Sequence, residues 1–529
     1  MAGPVLDPTP STTSDLRHWQ TEALSGLAGW PGGSFLISAA PGAGKTRPAL
    51  EYASELLRRG RTRQIVIVCP TAPLTRQWAA AAAGLGVHLV PDAEEPRPPR
   101  DFHGVCITYA RIASDPRRWA RGIDDRTFIV ADEAHHLGED LAWGEAFGAA
   151  RARAARVLLL SGTPFRSDAT PIPGVLYDRD GVAVPDIGYS YGDAVRDGVC
   201  CPVAFVTYDG TLSWRSGDDV IESSFESVLT AREASRRYRT AISTELPDGL
   251  PRILREAHER LQALREGGHR DAAGLVVAAD GTHARRVAAL LREVTGRAPV
   301  VVLHTEARSS ARLAEFARSR DPWIVAVNMV SEGVDIPRLR VGVYASAAKT
   351  ALVFSQIVGR FVRTIPGRPV EASWVYLPAD PILRQHAHDV EGELRRVLRR
   401  DEAEGVFDEP PQQRAGKRSE AVDFVPLSAD VAPQMTLFGP APTATRVALR
   451  PAQAVADEAV PLAAFERRAL LRDKRHRLVA DLCRSERRSH REINAWLNQA
   501  VGVGRVDDAT IQQLERSVKL LLRRLSARS

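Results

Sequence analysis

Residues 37–46 read ISAAPGAGKT. The apolar run SFLISA (34–39) precedes them and the helix-like run RPALEYASELLRR (47–59) follows. A strand, a glycine-rich turn and a helix in that order make the setting of a phosphate-binding loop. Gly42 and Gly44, with Ala40, Pro41 and Ala43 between and before them, let backbone N–H groups close around phosphate oxygens. Lys45 then brings a point charge to the β and γ phosphates, and Thr46 a hydroxyl to magnesium. Ala39 stands where the strict G-x-x-x-x-G-K-[ST] pattern has glycine.

Outward from this loop the chain alternates short apolar runs with helical stretches. QIVIVCP (64–70), VCITY (105–109), TFIVAD (127–132) and VLLLSG (157–162) set the rhythm of a parallel β-α-β sheet. A second series runs through AAGLVVAA (272–279), PVVVLH (299–304), PWIVAVN (322–328), RVGVYAS (340–346) and ASWVYLP (372–378). The fold class is therefore α/β, with two parallel-sheet lobes. The boundaries expected are an N-terminal lobe at 1–210, a charged helical connection at 211–270 and a C-terminal lobe at 271–401. A linker at 402–460 is expected from Pro410, Pro411, Pro426, Pro433, Pro440, Pro442 and Pro451, and a small helical domain at 461–529.

Two adjacent carboxylates end the strand TFIVADEAHH (127–136). Ending a buried strand in Asp132 and Glu133 is costly unless a cation or a proton inventory justifies it. Magnesium on Asp132, with Glu133 polarising the attacking water, divides metal and base roles between neighbours. After the next strand, Ser161 and Thr163 of SGTP are placed to couple the phosphate site to another ligand. In the second series, NMVSEGVDIP (328–337) sets Gly333 and Asp335 after a strand, and SQIVGRFVRT (355–364) carries Gln356, Arg360 and Arg363. Read as one helix, residues 355–364 would present both guanidinium groups on one face, as donors to a transferring phosphoryl group.

The ordered set AAPGAGKT, PTAPLTRQW, ITYAR, DEAH, SGTP, SEGVDIP and QIVGRFVR resembles the superfamily 2 helicases of the DEAD/DEAH-box type, across roughly 16–378. Ala39 fits that family's A-x-x-G-x-G-K-T variant. The resemblance implies two RecA-like lobes, ATP with Mg2+ as cofactor, and nucleic acid as partner. It implies that Lys45, Thr46, Asp132, Glu133, Gln356, Arg360 and Arg363 act on ATP, with Gly333 and Asp335 touching it from the second lobe. LRHWQTEAL (16–24) is similar to the adenine-reading glutamine element and nominates Gln20. Pro70, Thr71, Gln77 and Thr108 match positions that hold the nucleic-acid backbone, and His135, Ser161 and Thr163 match coupling positions. PTAPLTRQW and SGTPFRSD look closer to the DNA-directed restriction and repair motors than to the RNA-directed group. The alternatives are an RNA helicase, a double-strand translocase powering a defence or repair complex, and an adaptor with a decayed ATPase.

Bulk composition agrees with these expectations. The 529 residues are 44% apolar and 26% charged, with no uninterrupted apolar run near the roughly 18 residues of a membrane span, so a soluble, cytoplasmic protein is expected. Five cysteines show no C-x-x-C pairing, which argues against a disulfide scaffold and a structural zinc site. The formal net charge is +6, yet residues 461–529 hold 16 Lys/Arg against 8 Asp/Glu, or +8, leaving −2 for the rest. A basic terminal segment suits a polyanion, because neutralised phosphates release counterions. An accessory domain binding DNA or a partner is expected there.

Overall fold

The computed structural model describes residues 16–526 except 140, 163–170, 173, 180, 217–218, 304–305, 307, 328–334, 401–423, 436–461 and 487. The described residues group into two compact units, one of 16–39, 44–188 and 462–526, the other of 40–43 and 189–435. Among them no helix is long and apolar enough to cross a membrane.

The first unit is built on a seven-stranded sheet. Its strands are β1 (Gly33–Ala39), β2 (Gln64–Cys69), β3 (Leu89–Pro91), β4 (Gly104–Thr108), β5 (Thr127–Ala131) and β6 (Arg156–Ser161). After the small antiparallel pair β7 (Leu176–Tyr177) and β8 (Ala183–Val184) comes β9 (Ile187–Tyr189), which closes the sheet in the order β3-β4-β2-β5-β6-β1-β9. The pairs from β3 through β1 are all parallel. Every residue of β5 is buried, and all but the first of β2 and β6, as strands covered by helices on both faces require. Helix α1 (His18–Gly29) precedes the sheet, and α2 (Thr46–Arg58), α3 (Ala72–Ala83) and α4 (Tyr109–Ser114) follow β1, β2 and β4. Helix α2 packs through Ala49, Leu50, Ala53 and Leu56, and each buried leucine contributes about 1.5–3 kcal/mol.

The second unit carries an eight-stranded mixed sheet of β10 (Val203–Ser216), β11 (Asp219–Ser223), β12 (Ala273–Ala278), β13 (Val300–Val302), β14 (Trp323–Val327), β15 (Leu339–Ala345), β16 (Ser373–Pro378) and β17 (Phe424–Met435). Strands β12 to β16 pair in parallel, whereas β11 and β17 run antiparallel to β10. Both lobes are thus α/β, as expected.

Three segments differ from the sequence reading, the first being 189–210, which was expected in the N-terminal lobe and falls in the second unit. The expected helical connection at 211–270 begins as strand, because Leu212 and Trp214 alternate into the core and the Trp214 indole donates to Glu233 Oε2 at 2.8 Å. Its helices are Ala231–Ala241 and Leu250–Glu266. Within the expected linker at 402–460, residues 424–435 form β17, despite Pro426 and Pro433. Among the described residues that strand has β10 as its one neighbour, and an edge strand tolerates residues without an N–H.

The basic C-terminal region is helical, as expected, in helices Ala464–Glu486, His490–Val501 and Ile511–Ser526. Val479, Leu482, Ile493, Leu497 and Leu521 make its core. Thr510 caps the last helix: its hydroxyl accepts from the Gln513 amide N–H at 3.2 Å while the Gln513 side-chain oxygen accepts from Thr510 N at 3.0 Å. This bundle packs on the first unit rather than standing apart from it. The amide of Ile511 donates to Asp101 Oδ2 at 2.7 Å, Arg505 pairs with Glu95 at 3.1 Å, and the Arg468 guanidinium lies over the Phe102 ring.

Candidate active site

The carboxyl ends of β1, β2, β4, β5 and β6 carry, in turn, the phosphate loop, Pro70–Thr71, Thr108, Asp132–Glu133 and Ser161. The outer rim at the carboxyl ends of an open parallel sheet is where such folds bind ligands. Gly42 and Gly44 both have φ of +86°, a left-handed backbone open to glycine and strained for other residues. In the second unit, to which residues 40–43 belong, the Arg363 guanidinium occupies the space a Cβ on Gly42 would need. Lys45 sits at the N-cap of α2 and Thr46 is its first residue, so both side chains start from the positive end of a helix.

Glu133 Oε1 stands 3.5 Å from Lys45 Nζ, and Glu133 Oε2 accepts from the amide of Gly162 at 3.3 Å. Glu133 has φ of +50°, a strained conformation for a non-glycine residue and one that gathers at functional sites. Local bonds hold it there. Its amide donates to Asp132 Oδ1 at 3.1 Å, and Ala134 N donates to Leu160 O at 2.8 Å. His135 Nδ1 lies 3.2 Å from Ser161 Oγ and 3.5 Å from Glu133 Oε2, joining the ends of β5 and β6.

The two carboxylates are electrostatically unlike. Burial, reinforced by the charge of Glu133, pushes the Asp132 carboxyl above its ordinary range. Burial also works against ionisation of Glu133, but Lys45, His135 and His136 outweigh it and hold that carboxyl low. Asp132 Oδ2 accepts the Trp78 indole N–H at 2.8 Å, and the Tyr109 hydroxyl donates to the Asp132 carbonyl at 2.7 Å. Sequence reasoning missed both aromatics, although Trp78 closes the quoted run PTAPLTRQW and Tyr109 lies in ITYAR.

The donor set fits magnesium. A desolvated carboxylate with free lone pairs and a helix-terminal hydroxyl from Thr46 are hard oxygen ligands, and the neighbouring loop would hold phosphate oxygens beside them. Mg2+ takes one or two such protein oxygens and completes its shell with water and substrate phosphate. Among the described residues no group of three or more His, Cys, Asp and Glu is arranged to hold a metal by itself.

The remaining predicted residues are distributed as follows. Gln20 is buried on α1, where its Nε2 donates to Gly44 O at 3.0 Å and its Oε1 accepts from Arg17 N at 3.0 Å. Thr71 is the N-cap of α3, but its hydroxyl does not cap the helix and has no hydrogen-bond partner among the described residues. Pro70 is buried and Gln77 exposed. The Thr108 hydroxyl caps α4, accepting from Arg111 N at 3.2 Å.

In the second unit, Gln356 lies on the helix Ala351–Val358. Arg360 and Arg363 do not share it, which corrects the helical-face reading. The helix stops at Val358 with Gly359 as C-cap. Phe361 then turns in to fill the space left by Gly342, and Arg363 pairs as an extended residue with Cys200. Arg363 Nε reaches Asp335 Oδ1 at 2.9 Å as an ion pair. Gly333 and Thr163 lie outside the described residues.

A model of the type III restriction enzyme res subunit family matches residues 13–166. Rv2917, an uncharacterized protein of Mycobacterium tuberculosis, is 41% identical over 448 residues, 82% of this chain and 74% of that one. An uncharacterized Mycobacterium leprae protein, ML1624, is 41% identical over 404 residues, covering 74% and 67%. Among solved structures, a fragment described as an HsdR subunit of a type I restriction enzyme from Vibrio vulnificus matches with a TM-score of 0.51 at 18% identity, over 73% of this chain and 68% of that one. The chain belongs to the superfamily 2 helicases. That membership accounts for the α/β pair of lobes and for the order of motifs along them. Gly44, Lys45 and Thr46 of the phosphate loop fall in the first unit with both DEAH carboxylates, and Ala40–Ala43 fall in the second.

Proposed function

We propose that this chain is an ATP-hydrolysing nucleic-acid motor, a helicase or translocase that acts on DNA in preference to RNA. The observation that carries the reading is the contact of Lys45 with Glu133 at 3.5 Å, which brings a phosphate-binding cation after β1 to a low carboxylate and a buried metal-type carboxylate after β5, on either side of β6.

Loop amides from Ala40 to Gly44 and the Lys45 ammonium hold the β and γ phosphates, and Gln20 braces the loop at Gly44 while reading the adenine. Thr46 and Asp132 hold Mg2+, which neutralises developing charge on the phosphates when bound. Glu133 orients a water and takes its proton as the oxygen attacks the γ phosphorus. The bond to the bridging oxygen breaks, and ADP and phosphate leave. The motif resemblance assigns Gln356, Arg360, Arg363, Gly333 and Asp335 to ATP as well, since a guanidinium at a transferring phosphoryl group stabilises its charge. Pro70, Thr71, Gln77 and Thr108 hold the nucleic-acid backbone, and His135, Ser161 and Thr163 couple it to the phosphate site.

Support for DNA comes from the motif forms PTAPLTRQW and SGTPFRSD and from the matched family, described as a restriction-enzyme subunit. The test is displacement on matched tracks: a labelled strand released from DNA or RNA duplexes, and a third strand released from a DNA triplex. ATP-dependent release on either DNA substrate supports the reading, and triplex release alone selects the double-strand translocase. Release from RNA duplex alone overturns the DNA preference. No release on any substrate, with ATP turnover intact, leaves the chain an ATPase serving a partner complex and refutes the motor.

A further inference from the structure

We propose that Trp78 and Tyr109 are positioning residues that tie occupancy of the nucleic-acid track to the orientation of Asp132. The inference rests on the motor reading above.

The two segments expected to hold the nucleic-acid backbone each send one aromatic donor to the same aspartate. Thr71 is the N-cap of helix α3, and Trp78 stands seven residues, about two turns, further along. Its indole N–H donates to Asp132 Oδ2 at 2.8 Å in a fully buried contact. Helix α4 starts after Thr108, and its first residue, Tyr109, donates through its hydroxyl to the Asp132 carbonyl at 2.7 Å, also buried. One bond fixes the side chain and the other the backbone of the residue placed to hold magnesium.

Three features make this more than packing. Trp78 Nε1 spends its single donor on a carboxylate oxygen, not on a backbone carbonyl of the core. Helix α3 is a lever pinned near its middle, because Asp92, itself at φ of +50°, accepts from Thr75 Oγ1 at 2.9 Å and from Arg76 Nε at 3.1 Å and so sets the pivot about which its ends turn. At the end of that lever the buried Thr71 hydroxyl has no partner among the described residues, beside the N-terminal amides of the helix. A phosphate drawn to those amides pulls on the same rigid body that carries the indole. A small rotation of α3 then moves Oδ2, while Oδ1 stays anchored by the Glu133 amide.

The test is a binding cycle with no hydrolysis in it. The affinity of a fluorescent non-hydrolysable ATP analogue is measured with and without Mg2+, and with and without saturating oligonucleotide, for the wild type, Trp78→Phe and Tyr109→Phe. The oligonucleotides are single-stranded DNA, duplex DNA and RNA. In the wild type, nucleic acid tightens the Mg2+-nucleotide by about 5-fold or more, within the range usual for coupled sites. Trp78→Phe, which keeps an aromatic side chain of smaller size and loses the donor, brings that factor below about 2-fold and leaves nucleotide affinity without Mg2+ unchanged. Tyr109→Phe reduces the factor in the same direction, and carries the test alone if Trp78→Phe fails to fold.

Undiminished coupling in the phenylalanine variants overturns the proposal. So does an equal loss of nucleotide affinity without Mg2+, which would mark the two rings as packing alone. A wild type with no coupling to any oligonucleotide sinks the motor reading itself, a failure distinguishable because it appears before any substitution.

Discussion

The phosphate site and the C-terminal bundle use charge in opposite ways. Around Lys45 the ionisable groups are few, close and mostly buried: Lys45 faces Glu133, His135 bridges Glu133 to Ser161, and Asp132 is held by Trp78. In the bundle they are many and, apart from the buried Arg468, Arg475 and Glu486, mostly exposed, with Arg477 on Asp473, Arg484 on Asp481 and Arg505 on Glu95. Buried groups cannot fall back on water, so each has one geometry and each loss is felt. Exposed pairs exchange partners with solvent and contribute little singly. The first region is therefore specified residue by residue, the second by its core and its total charge.

The sharpest way to break this contrast is in the site. Lys45→Ala should lower ATP turnover by roughly 100-fold or more, as loss of a preorganised electrostatic contact does, with Tm little changed; steady-state kinetics and a thermal melt check it. A fall of less than tenfold would mean that the site is not the one doing the chemistry.

Next in size comes the bundle core. Leu521→Ala should cost roughly 2–5 kcal/mol of bundle stability, seen as loss of hydrogen-exchange protection in 464–526, while basal turnover stays near wild type. The same substitution should weaken DNA binding and flatten its salt dependence, if the basic surface holds phosphates. Unchanged DNA affinity with an unfolded bundle would remove the bundle from the track.

A third effect lies at the junction between the two regions. Burial, with the nearby His88, pulls His103 from its ordinary 6.5 down to about 4. Its folded form resists protonation, so between pH 6.5 and about 4 the unfolded chain binds more protons and stability falls as pH falls. From pH 7 to 5 the loss is at most about 2 kcal/mol for this buried ring. Urea melts of wild type and His103→Gln should converge at pH 5 and part at pH 7.5. Parallel curves would contradict it.

The smallest effect is at the surface. Arg505→Ala should cost about 0.2–1 kcal/mol, fading in high salt, because its partner Glu95 also pairs with Arg118.

The same contrast governs what could be read from sequence. Five strands of the first lobe's sheet, β1, β2, β4, β5 and β6, were legible because each is a continuous apolar run ended by polar residues that a phosphate site needs, as in TFIVADE, whereas the three-residue β3 and β9 are too short to show such a run. Arg360 and Arg363 were misplaced because three-residue spacing describes a helix only while the helix lasts, and Gly359 with the inward Phe361 ends it at Val358. Strand β17 was hidden by Pro426 and Pro433, which read as linker until an edge position excuses their missing N–H groups. The docking of the bundle was invisible, since Asp101 meets Ile511 and Glu95 meets Arg505 across 410 residues of chain. Trp78 was in plain view, but an indole in an amphipathic helix carries no mark of the carboxylate it will meet.

The central claim is that Lys45, Asp132 and Glu133 form an ATPase site answering to nucleic acid. The most direct measurement is ATP hydrolysis by the full chain with no polymer, single-stranded DNA, duplex DNA or RNA, beside Glu133→Gln. Hydrolysis that rises with DNA in the wild type and is absent in the variant is the predicted result. A rate indifferent to every polymer, or one that survives Glu133→Gln, would contradict it.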